Sequence, residues 1–66
     1  MSTVRKYIET REYRVYKFTG SDGDYIWIRY DKDSGKWSES DDGYRWELLP
    51  DEGADIVESC VEMADV

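Results

Sequence analysis

The run from Glu12 to Thr19 interleaves Tyr13, Val15, Tyr16 and Phe18 with Arg14 and Lys17, the composition of a half-exposed β-strand. Gly20-Ser21-Asp22-Gly23 breaks it. From Asp24 to Tyr30 the alternation places Ile26, Ile28 and Tyr30 on one side, with Tyr25, Trp27 and Arg29 on the other. Successive strand side chains point to opposite faces, so bulky groups on both sides predict a central strand. Asp31-Lys32-Asp33-Ser34-Gly35 and Ser40-Asp41-Asp42-Gly43 carry turn chemistry; between and after them, Lys36 to Glu39 and Tyr44 to Leu49 read as further strands. Val4 to Ile8 reads equally well as a separate strand or as the early part of the first. The expectation is an antiparallel meander of three or four strands over residues 4–49.

At Pro50 the period changes. Asp51 is placed to cap a helix running to about Ala64, with Glu52 and Asp55 near its positive end. At about 100° per residue, Ala54, Ile56, Val57, Cys60, Val61, Met63 and Ala64 share one half of the wheel, and Asp55, Glu58, Ser59, Glu62 and Asp65 the other. The predicted fold class is therefore α+β: one domain over residues 1–66, with a three- or four-stranded β-meander and one C-terminal amphipathic helix packed on one face.

Length makes the aromatic residues decisive. A chain of 66 residues removes a modest fraction of its surface from water on folding, so three Trp, six Tyr and one Phe must supply most of the core. They also exceed what one sheet face under one helix can bury. Some of them, Trp37 among the candidates, are expected to reach solvent as anchors for a partner, because Trp, Tyr and Arg dominate binding hot spots.

Catalytic chemistry is poorly supplied. The chain has no His, which excludes Ser-His and Cys-His nucleophiles, and Cys60 falls on the apolar helix face among acids that do not activate a thiol. Asp31, Asp33 and Ser34 before Gly35 have the alternating oxygens of a calcium loop, but Gly35 is fifth rather than sixth and strands flank the segment, so a hairpin turn is expected. No enzyme activity, metal or cofactor is expected. A single Cys, no leader-like N-terminus and no run of about 20 apolar residues point to a soluble, cytoplasmic chain without membrane contact.

Charge carries the functional expectation. Residues 1–20 hold five basic and two acidic side chains, whereas residues 37–66 hold ten acids against Arg45, within a net charge of −7. Asp55, Glu58, Glu62 and Asp65 follow steps of three, four and three, which makes them one helix ridge without an offsetting cation. Extended by Glu47 or by Asp41 and Asp42, this ridge has the character of a row of phosphates. The plainer role of such a run is a solvated face that aids solubility. The basic segment mixes Arg5, Lys6, Arg11, Arg14 and Lys17 with Tyr7, Tyr13 and Tyr16, as single-strand platforms do, but the acidity of the rest disfavours direct nucleic-acid binding.

The stretch Trp27-Ile28-Arg29-Tyr30-Asp31-Lys32-Asp33-Ser34-Gly35-Lys36-Trp37, about a sixth of the chain, resembles the hairpin of WWE domains. Those domains pair aromatic strands around an acidic glycine turn and bind ADP-ribose units; no ligand or binding residue is transferred from them.

The leading expectation is a non-enzymatic protein-binding module, a small acidic inhibitor or modulator of a basic nucleic-acid-binding protein acting by phosphate mimicry. Such a protein suits a phage or mobile element. The alternative is an assembly protein that homo-oligomerises through a sheet edge or the aromatic face.

Overall fold

Each alternating run becomes a strand. The computed structural model describes residues 3–64, with β1 at Thr3–Glu9, β2 at Tyr13–Thr19, β3 at Tyr25–Asp31, β4 at Trp37–Ser40, β5 at Glu47–Leu48 and α1 at Asp51–Ala64. Neighbouring strands pair antiparallel in the order β1-β2-β3-β4-β5, giving a meander. There are five strands rather than three or four, because Val4 to Ile8 lies in a strand of its own. Residues 44–46 are not part of β5; they form the turn that leads into it.

The turn over residues 31–35 shows what the Asp-Ser-Gly cluster does. One Asp31 carboxylate oxygen accepts the amides of Asp33 (2.9 Å) and Ser34 (3.2 Å), and the Gly35 amide donates to the Asp31 carbonyl (2.8 Å). Gly35 has φ +74°, a conformation that a Cβ would strain.

Directly paired residues share a face, so the register sorts the side chains. Tyr16 pairs with Ile28, and Tyr30 with Trp37; these put Tyr16, Ile28 and Trp37 beneath the helix as the buried core. Val4, Phe18, Ile26 and Tyr30 pack around them, and the helix contributes Ala54, Val57 and Val61. Trp37 corrects an expectation: it is 6% exposed, with its ring 4.8 Å from Tyr30 and 6.0 Å from Tyr16, and is no surface anchor. Its pairing with Tyr30 assigns it to the covered face, which could not be known before the β3–β4 register.

The helix lies on the sheet by a narrower strip than half its circumference. Ala54, Val57, Cys60 and Val61 are half-buried, whereas Ile56 and Met63 are 64% and 86% exposed. Those two sit about 100° or more from the centre of the packed strip at 100° per residue, beyond the reach of a single supporting layer. The outward arc is therefore not uniformly acidic, since a carboxylate ridge lies on one flank and Ile56 and Met63 on the other. Asp51 is the first helical residue instead of the cap, because the Pro50 carbonyl already accepts the Ala54 amide (2.8 Å). Asp51 and Glu52 still stand in the first turn, where the dipole favours them.

At the end of the sheet near Gly20 the helix leaves an open, largely apolar hollow of about 360 Å³ with Val4, Phe18, Ile26 and Cys60 on its walls. Among the described residues no helix is long and apolar enough to cross a membrane.

Ile28 is 1% exposed, so Ile28→Ala is expected to cost about 2–5 kcal/mol, a large share of the stability of so small a domain. Ile56→Ala, at an exposed position, should change it by less than about 0.5 kcal/mol. Urea unfolding followed by circular dichroism measures both.

Candidate interaction surfaces

The acids fall into two groups. Asp55, Glu58 and Glu62 are exposed on α1, and Glu58 and Glu62 border a cleft of about 160 Å³ that Arg14 also lines, with Trp37, Tyr30 and Tyr16. Asp65, the fourth expected member of the ridge, lies outside the described residues. The second group surrounds a polar hollow of about 250 Å³ formed by Glu39, Ser40, Asp41, Asp42, Arg45 and Glu47. Glu39 stands directly opposite Glu47 on the neighbouring strand. Like charges so placed oppose pairing, by an amount of the same order as the roughly 0.2–1 kcal/mol that a favourable cross-strand pair contributes. Since Glu39 also pairs with the buried Ile28, it and Glu47 belong to the helix-covered side of the sheet.

Asp42 is built into the turn as well as charged. Its Oδ1 accepts the Tyr44 amide (2.8 Å), the Arg45 amide (2.9 Å) and the Ser40 hydroxyl (3.0 Å). The backbone amides of Arg45 and then Tyr44 are the main reason its pKa lies below the usual aspartate value. Buried Ser40 in turn accepts the Gly43 amide (2.8 Å), so the turn closes on itself.

The N-terminal cations have partners of their own. Lys32 (2.8 Å), Lys6 (2.9 Å) and Arg14 (3.2 Å) all converge on the Glu9 carboxylate. Their hydrogen bonds, that of Lys32 foremost, lower the Glu9 pKa from 4.5 to about 2, and Glu9 raises that of Arg14. No other ion pair occurs among the described residues. The acids of the helix and of the 40–47 region therefore stand without a cation within ion-pair distance. Of the five N-terminal cations, Lys6 and Arg14 thus share one carboxylate with Lys32, and the cluster keeps a net positive charge.

The far side of the sheet carries no helix, and there the surplus aromatics collect. Tyr25, Trp27 and Arg29 of β3 point this way, opposite to Ile28. Trp27 meets Tyr7 at 4.6 Å and Tyr25 at 5.6 Å between centroids, both edge to face. Lys17 stands over Tyr25 (4.1 Å) and Trp27 (5.6 Å), and the Arg29 guanidinium lies over Trp46 (4.4 Å) and Tyr13 (4.6 Å). These contacts hold Lys17 and Arg29 on the rings while both keep their positive charge.

A bulge in β1 adds to this face. The β1–β2 register shifts between Lys6 and Ile8, so Tyr7 is the extra residue, and both Tyr7 on Trp27 and Ile8 opposite Val15 come to the uncovered side. On the other flank the 40–46 turn folds over Trp27. Gly43 has φ +83°, a conformation that favours glycine, and a Cβ placed there would touch the Trp27 indole at 3.4 Å. The result is a groove of about 310 Å³ lined by Tyr7, Trp27, Trp46 and the 88% exposed Tyr44, together with Ile8, Val15 and Asp42.

Sequence reasoning foresaw exposed aromatics but placed the anchor at Trp37. The signal for Trp27 was its alternation against Ile26 and Ile28; Trp46 and Tyr44 counted among the surplus aromatics, but only the folded turn brings them to the same groove as Trp27. No protein-family model matches the chain, and comparisons with curated proteins and with solved structures return no match.

The Glu9 cluster predicts a specific pH response. A carboxylate whose pKa falls on folding contributes stability that is present above its unfolded value and is lost as pH falls from about 4.5 through about 2. Glu9→Gln should remove that part of the acid sensitivity while leaving stability near neutrality only slightly reduced, as expected of exposed pairs. Urea midpoints of both proteins across this pH range provide the comparison.

Proposed function

We propose that the protein is a non-enzymatic binding module that engages a basic, nucleic-acid-binding protein through its carboxylates, in the manner of a phosphate row. The observation that carries this reading is that Glu39, Asp41 and Glu47 around one hollow and Asp55, Glu58 and Glu62 on the helix form no ion pair among the described residues, although Arg45 lines the first group and Arg14 the cleft beside the second. The directly opposed Glu39 and Glu47 oppose folding, and a charged partner would turn that cost into affinity. Such a field speeds encounter with a positive surface and repels free nucleic acid. An inhibitory role, a cytoplasmic setting and a phage or mobile-element origin accord with this chemistry.

A second reading is self-assembly through the uncovered sheet face, favoured by the exposure of Tyr7, Ile8 and Leu48 there. Size-exclusion mass at two protein concentrations separates the two: a mass that rises with concentration supports assembly, and an invariant monomer rejects it.

The tagged protein, used as bait in lysate of its natural host, is expected to retain a nucleic-acid-binding protein that is released by salt or by competing duplex DNA. Replacing Glu58 and Glu62 together by Lys should weaken capture at least tenfold, whereas the same change at Asp22 and Asp24 should have little effect. Equal losses at both places reject the localisation, and capture indifferent to salt and DNA rejects phosphate mimicry.

A further inference from the structure

We infer that the groove between Tyr7, Trp27, Tyr44 and Trp46 is a receptor for an arginine side chain on a basic protein segment, with Asp42 as its counter-charge. This rests on the reading that the partner is basic and adds a second, aromatic point of attachment to the carboxylate surface.

The argument starts from what lines the groove. Its walls combine four aromatic side chains with Ile8 and Val15, and the one charged residue among its described lining is Asp42; Lys17 and Arg29 stack on the same indoles and do not line it. Ring faces and a carboxylate attract a cation, and no other charge combination is served by both. Asp42 is held in place by three hydrogen bonds that all use Oδ1, and it also lines the acidic hollow with Glu39, Asp41 and Glu47. The hollow and the groove therefore meet at this one side chain, and a basic segment drawn to the hollow has the groove within reach.

The groove's indoles already carry cations of both kinds on this face, Lys17 at 5.6 Å from Trp27 and an arginine closer to Trp46. The Arg29 guanidinium lies 4.4 Å from the Trp46 centroid and 4.6 Å from that of Tyr13, between two rings of the same surface. A planar, weakly hydrated guanidinium stacks in this way and can also bond a carboxylate, which an ammonium does less well. A nucleic-acid strand would bring phosphates to Asp42 and the neighbouring acids, and a second copy would bring a net charge of −7 toward another −7. Neither matches the groove as an arginine does.

Titration of the ¹⁵N-labelled protein with blocked octa-arginine, octa-lysine and the neutral octa-citrulline tests this by NMR. Octa-arginine is expected to shift the indole N–H signals of Trp27 and Trp46 and the amides of Gly43 and Tyr44, with smaller groove shifts from octa-lysine and none from octa-citrulline. Tyr44→Ala should weaken octa-arginine binding about 2- to 5-fold, the size of an exposed cation–aromatic contact, and Tyr44→Phe should retain it. Tyr44 is so exposed that either variant should fold as the parent does. Equal shifts from octa-lysine would overturn the choice of guanidinium. Shifts confined to Asp55, Glu58 and Glu62 would overturn the groove and leave the basic-partner reading standing, while shifts nowhere on the molecule would overturn both.

Discussion

A sheet has two faces, and one fourteen-residue helix can cover only one of them. Nearly everything about this molecule follows from that inequality. Strand β3 carries bulky groups on both sides, so covering Ile26, Ile28 and Tyr30 leaves Tyr25, Trp27 and Arg29 on the open side. The rings there are kept from full exposure by each other, by two stacked cations and by the glycine turn laid over Trp27. This is packing without a second layer. It gives rings fixed in position and reachable from water, which is the condition for low-entropy recognition by aromatic side chains.

Charge is distributed under a related constraint. Three cations gather on Glu9 and tie β1, β2 and the β3–β4 turn together, while the acids of the second half are left to solvent. An arrangement selected for stability alone would spread the same cations among the crowded carboxylates. The opposite choice concentrates negative potential around α1 and the 40–47 region. The two surfaces then have different ranges, since the carboxylates act over roughly a Debye length of about 10 Å at 0.1 M salt, whereas the rings act only on contact.

Much of the architecture was legible because period and punctuation agreed. The alternation in residues 24–30, the Asp-Gly turns and the change of period at Pro50 placed the meander and the helix, and the acidic ridge followed from helical spacing. What remained hidden depended on register. Trp37 reads like any surface-capable tryptophan until Tyr30 is set opposite it. Glu39 and Glu47 are eight positions apart and become neighbours only across β4 and β5. Ile56 and Met63 belong to the apolar half of a helical wheel, but the strip of helix that touches a single sheet is narrower than a half-turn of that wheel. The groove was least visible, because its lining comes from β1, β2 and β3 and from the turn before β5.

The bulge at Tyr7 has a bearing on the fate of the free β1 edge. A seven-residue border strand is a template on which another chain can add, the first step toward fibrous polymers. Here the extra residue interrupts the ladder midway and sharpens its twist, and the charged Arg5 and Lys6 lie just before the interruption. The same irregularity that brings two consecutive apolar side chains to the open face thus spoils the border as a nucleus for end-to-end growth.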